Sequence, residues 1–182
     1  MRPAAEVHDA LACLLTYPGL EGSGSRYADA VRVVSRACPE TADDLSAFSA
    51  AIAEIGVGEL EELYTRTFDN VADRSLEVGW QLFGENYARG VLMVRFRGLM
   101  RKHGVPEHTE LPDHLTHVLA LLARVPEELA SALAGNQVLQ ALDKMLAGLR
   151  SHASPWTSVL EATRKVLLLH QLDAPQASEA TR

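Results

Sequence analysis

Between residues 107 and 117 the chain reads EHTELPDHLTH, which places three histidines, two glutamates and an aspartate within eleven residues. Such a cluster has three chemical uses: holding a metal, moving a proton, or recognising a partner. For a metal, His114 and His117 are three apart and share a helix face, with Glu110 four residues before His114, so three ligands can converge. The H-E-x-x-H spacing of zinc hydrolases is absent, however, and neither cysteine lies near, so no metal is expected there. Proton transfer needs a pocketed acid or base beside a nucleophile. Asp113 and His114 are present, but the chain has no G-x-S-x-G elbow, no P-loop and no dinucleotide fingerprint. The structural alternative makes Pro112 the first residue of a helix, with Asp113 at its positive end and Leu115, Val118 and Leu119 in the core. It leaves His114 without a role.

The elements that must position these residues read as helices from end to end. Apolar residues recur at i, i+3, i+4 and i+7, as in Leu45, Phe48, Ile52 and Ile55, and in Leu115, Val118, Leu119 and Leu122. Helix starts are marked by Thr41 with Asp44, which resembles a capping box, by Ser154 before Pro155, and by Pro126 before two glutamates. Arg101, Lys102 and His103 followed by Gly104 mark a helix end, with cations at the negative pole and a glycine able to turn left-handed. The resulting map is 4–17, 25–37, 41–55, 58–68, 76–103, 112–124, 126–134, 137–151 and 155–170. The β-branched runs VRVV and VLMVRF have no hairpin turn or partner run beside them and are read as helix. The expected fold is all-α: one compact bundle of eight or nine helices over residues 1–172, with a frayed tail over 173–182. The segment FDNVADRS, Phe68 to Ser75, has the composition of a surface loop.

Composition narrows the function classes. With 182 residues and 47% hydrophobic content, the chain has material for one sizeable core. A formal net charge of -7 argues against nucleic acid and in favour of a basic partner. No apolar run reaches the roughly 20 residues of a membrane span, so no stable membrane insertion is expected. Glu6, His8 and Asp9 interrupt the opening stretch, which points to the cytoplasm rather than to a signal peptide. Cys13 and Cys38 lack metal or redox spacing and are read as ordinary thiols.

Four segments together carry a family resemblance: YTRTFD (Tyr64 to Asp69), GWQLFGENYARG (Gly79 to Gly90), LMRKHGV, and ELPDHLTHVLALLARV (Glu110 to Val125). In order and spacing they resemble the NarJ-type delta-subunit chaperones of nitrate reductase, within the wider NarJ, TorD and DmsD group; the E-x-P-D-H element falls on Glu110, Pro112, Asp113 and His114. The opening ALACLLTYP is similar to that family's first helix. The resemblance implies a TorD/DmsD-like helical chaperone and not an enzyme. On that resemblance it would have no cofactor of its own and would hold the N-terminal segment of a molybdenum oxidoreductase catalytic subunit while the cofactor is inserted. It implies a peptide site at Tyr64, Asp69, Trp80, Glu110, Pro112, Asp113 and His114, with Pro112 fixing the helix entry, Asp113 directed to the groove and His114 beside it. Asp69, Asp73, Glu77 and Glu85 would supply an acidic rim. DNVADRS lacks the proline-rich run of the signal-peptide-binding branches, so a client without a twin-arginine signal suits the resemblance equally. A monomer or a dimer with exchanged helices is compatible with it. The other function classes are a metal-dependent enzyme using Glu110, His114 and His117, and a permanent helical subunit of an oxidoreductase.

Overall fold

The computed structural model describes residues 3–19, 23–69 and 71–172; the tail expected over 173–182 lies outside them. Ten α-helical segments follow in order: α1 (Ala5–Leu14), α2 (Ser23–Ala37), α3 (Ala42–Ile52), α4 (Val57–Phe68), α5 (Val78–Phe83), α6 (Tyr87–Lys102), α7 (Leu115–Arg124), α8 (Glu127–Leu133), α9 (Leu139–Leu149) and α10 (Trp156–Leu172). A π turn over Ala134–Val138 joins α8 to α9 without a break, so the described residues form nine helical rods and no strand, as the all-α expectation required.

The bundle is tied together where α1 ends. The last carbonyls of a helix have no intrahelical donor, and α1 finds donors in three aromatic side chains. Trp156 Nε1 donates to Leu14 O (3.0 Å), the Tyr64 hydroxyl to Leu15 O (2.8 Å) and the Tyr27 hydroxyl to Thr16 O (2.6 Å). These rings come from α10, α4 and α2. Trp156 is fully buried, and its ring centroid lies 5.2 Å from Tyr64, 5.9 Å from Phe68 and 6.1 Å from Phe48. The first two contacts are edge-to-face, the arrangement the ring quadrupoles favour.

Several local expectations are corrected. The single helix over 76–103 is two helices. Gly84 takes φ 62°, a left-handed backbone that ends α5, and Asn86 Oδ1 accepts from Ala88 N (3.0 Å) to start α6. Thr41 forms no capping box: its hydroxyl donates to Cys38 O (2.7 Å), and Asp44 is drawn to Lys165 of α10 at 2.7 Å. The end of α6 is as expected, with Gly104 at φ 68° and Val105 N bonded to Met100 O (2.9 Å). Both β-branched runs are helical, in α2 and α6.

Only part of the α4–α5 connection behaves as a surface loop. Arg74 is buried and its Nε donates to Thr67 O (2.8 Å), while Gln81 Nε2 donates to Ala72 O (3.2 Å) and Ser75 O (3.0 Å). The loop lies directly on α9, where a Cβ added to Gly148 would meet Asp73 O at 2.3 Å. Gly148→Ala should therefore destabilise the protein by about 1–3 kcal/mol, because a backbone carbonyl must move and this outweighs the helix propensity gained. Urea unfolding measures it, and a variant at least as stable as the parent would show that the loop does not rest on α9.

Candidate functional site

The ELPDH element is stitched to the start of α5 by backbone. Val78 N donates to Asp113 O (2.7 Å) and Leu115 N to Leu76 O (2.8 Å), on either side of an isolated antiparallel bridge between Glu77 and His114. Helix α7 starts at Leu115 with His114 as its N-cap, so Pro112 and Asp113 precede the helix and do not form its first turn. The shift follows from the stitching: the backbone of residues 113 and 115 is committed to the 76–78 segment and reaches helical geometry only afterwards.

Asp113 has a different role from the one expected. Its side chain is completely buried and accepts from Arg89 of α6, Nε to Oδ2 at 2.9 Å and Nη2 to Oδ1 at 3.4 Å. It does not line the cleft. The approach is possible because residue 79 is glycine; a Cβ there would lie 2.6 Å from Asp113 Oδ2 and 3.1 Å from Arg89 Cγ. The same guanidinium lies 5.4 Å from the ring centroid of Trp80, whose Nε1 donates to Ala72 O (2.9 Å). Arg89 therefore links the buried carboxylate to a half-buried aromatic of the cleft wall. Sequence reasoning missed it, since nothing in the spacing of NYARG marks one arginine of α6 as the inward one.

Above this lock lies a cleft of ≈ 520 Å³. Tyr64, Asp69, Trp80, Glu110 and His114 all line it, as do Glu77 and Arg89. Five of the seven expected site residues are thus brought together; Pro112 and Asp113 are buried behind the wall, and Asp73 and Glu85 do not line the cleft. Tyr64 is both core and wall, since its hydroxyl is spent on Leu15 O while its ring edges the cleft. The cleft is electrostatically one-sided. Burial, then the charges of Glu77 and Asp69, push the Glu110 carboxyl above its ordinary range, against a smaller opposing effect of His117. Among the described residues, the one cation in the wall, Arg89, is already committed to Asp113.

A second cleft of ≈ 670 Å³ lies on the other side of Glu110 and shares Tyr64, Glu110 and His114 with the first. It continues past His117 to Tyr17, Cys13 and Arg26. The strap between the clefts, residues 105–114, is held by histidine hydrogen bonds. His117 Nδ1 donates to Leu111 O (3.0 Å) and its Nε2 accepts from His108 N (3.1 Å), with the His108 ring stacked at 5.9 Å. His114 Nδ1 accepts from Thr116 N and is 2.7 Å from Thr116 Oγ1, which puts the ring proton on Nε2. Burial, reinforced by His117, lowers the His114 pKa to about 4, with Asp113 opposing. Both nitrogens of His117 are used by backbone, so it cannot join Glu110 and His114 on an ion without releasing the strap. Among the described residues no group of three or more histidine, cysteine or acidic side chains is placed to hold a metal.

The described residues form an all-helical bundle with an acidic, aromatic-walled double cleft. The nitrate reductase delta subunit family model matches residues 34–161, more than two thirds of the chain, and the chain belongs to that family. Its members, the NarJ family, are assembly chaperones for nitrate reductase rather than enzymes. No curated protein matches the sequence. The matched span contains every residue of the first cleft, while α1 and the end of α10 lie outside it. No helix among the described residues is long and apolar enough to cross a membrane.

Proposed function

We propose that the double cleft holds the N-terminal segment of the nitrate reductase catalytic subunit, a molybdenum oxidoreductase, in the cytoplasm while its molybdenum cofactor is inserted, and that the chaperone takes no cofactor of its own. The observation that carries this reading is the unbalanced charge at Glu110, where burial and two neighbouring carboxylates already strain ionisation. A basic side chain placed among Asp69, Glu77 and Glu110 relieves that repulsion. The apolar side of an amphipathic segment rests against Tyr64, Phe68 and Trp80. His114 offers its Nε2–H as a donor to a backbone carbonyl of the segment. Pro112 and Asp113 support binding through the architecture, by fixing the strap and Arg89.

The test is calorimetric titration of the full-length protein with a synthetic peptide from the N-terminus of its cognate catalytic subunit. Binding in the micromolar range or tighter is expected. The Glu77→Gln/Glu110→Gln variant should weaken it about tenfold or more, equivalent to about 1.4 kcal/mol. Both positions face the cleft, so the variant should fold. No binding, or equal binding by parent and variant, would remove the acidic cleft from client recognition.

A further inference from the structure

We propose that the outward face of α6 is a reversible docking surface for an anionic membrane. Tyr87, Val91 and Val94 recur at i, i+4 and i+7 and are 88%, 52% and 70% exposed, so they form one line along the helix. Phe83, at the end of α5, is also exposed. Four cations flank the line. At about 100° per residue, Arg95 and Lys102 lie roughly 60–80° to one side, and Arg101 and Arg97 roughly 40–80° to the other. In a chain of net charge -7, this helix carries five arginines and lysines and no acidic residue. Glu107 bonds Arg97 (2.8 Å) and approaches Arg101 (4.0 Å), while Arg95 and Lys102 form no ion pair among the described residues.

The shape of this face selects the occupant. A protein partner is gripped by anchors seated in pockets, yet neither cleft reaches this face. Both Gly90 and Gly98 have no neighbour within 4 Å of where a Cβ would be. Side chains that protrude from a convex helix, with a tyrosine and aliphatic groups between two rows of cations, suit a headgroup layer. The apolar tips enter it while the guanidinium and ammonium groups meet phosphates. A second copy is disfavoured, because α6 against α6 would oppose like charges. The acidic remainder of the molecule does not cancel the attraction, since charges more than about 10 Å from the surface are screened at 0.1 M salt.

The experiment is co-sedimentation of the full-length protein with vesicles of equal parts phosphatidylglycerol and phosphatidylcholine, compared with phosphatidylcholine alone. Binding to the anionic vesicles is expected, with loss in 0.5 M salt. Affinity should fall at least tenfold in Arg95→Gln/Lys102→Gln and in Val91→Ser/Val94→Ser, surface variants whose folding is checked by circular dichroism. Peptide titration should be unchanged in both variants, which separates this proposal from client binding in the cleft. Failure to sediment with anionic vesicles, or sedimentation of both variants like the parent, would overturn it. So would preferential binding of soluble polyglutamate, which would assign the face to an acidic protein.

Discussion

Removing the Arg89 guanidinium should be among the most damaging single changes in this protein. Asp113 is completely buried, and its two oxygens are met by Arg89. Arg89→Ala leaves a carboxylate in the interior without its counter-ion, a situation that costs about 3–5 kcal/mol. Against an ordinary domain stability of about 5–15 kcal/mol, this removes a large share of the total. The reverse change, Asp113→Ala, should cost less, because the Arg89 side chain is 17% exposed and can turn its charge towards water. Arg89→Lys should rescue only in part, since an ammonium cannot reproduce the two-point contact or the guanidinium's contact with the Trp80 ring. The decisive comparison is Arg89→Met/Asp113→Leu, which removes both charges and should recover most of the loss in urea unfolding. If Arg89→Ala costs under about 1 kcal/mol, or the double variant is no more stable than Arg89→Ala, the buried pair is not what holds the ELPDH element to α5 and α6.

Acid should weaken the fold through His114. The imidazole titrates at about 4 in the folded chain against an ordinary 6.5, because burial favours its neutral form. Between those values the unfolded chain takes up a proton that the folded chain refuses. The stability contributed by neutral His114 is therefore complete above pH 6.5 and declines as the pH falls towards 4, by up to about 3 kcal/mol. Protonation also removes the Nδ1 acceptor that caps α7, so the loss is local to the strap between the clefts. Glu110 acts in the opposite direction. Its raised pKa means that its protonated form favours the fold, a contribution lost as the pH rises, so the measured slope is the difference of the two. His114→Asn keeps an oxygen acceptor at the N-cap and cannot titrate. Its unfolding free energy should vary less between pH 7 and pH 4 than that of the parent. Equal slopes in parent and variant would place the acid sensitivity elsewhere.

The family match and the cleft fit together through particular residues. The ELPDH element, which carries the resemblance most sharply, contributes two groups to the cleft surface, Glu110 and His114, and two to its support, Pro112 and Asp113. GWQLFGENYARG divides in the same way. Trp80 lines the cleft, Gly79 leaves room for the Asp113 carboxylate, Gly84 turns the chain between α5 and α6, and Arg89 neutralises Asp113. Both motifs supply cleft wall and architecture at once, which explains why neither could be assigned to one use from spacing alone.

What the sequence determined by itself was local. Apolar periodicity placed the helices, because each needs one face to bury, and Gly104 marked the end of α6, because few other residues turn left-handed there. The cluster at 107–117 drew attention to a segment whose Glu110 and His114 line both clefts in the fold. What only the tertiary structure decided was direction. Asp113, Arg89, Trp80 and Tyr64 lie on different elements, and whether each points to solvent, cleft or core depends on how those elements pack. The break at Gly84 was hidden because the apolar pattern continues across it. Asp113 turned inward for the same reason that no motif could show: its partner is an arginine 24 residues earlier, brought within 2.9 Å by the fold. A buried charge is stable only where long-range packing supplies its counter-ion.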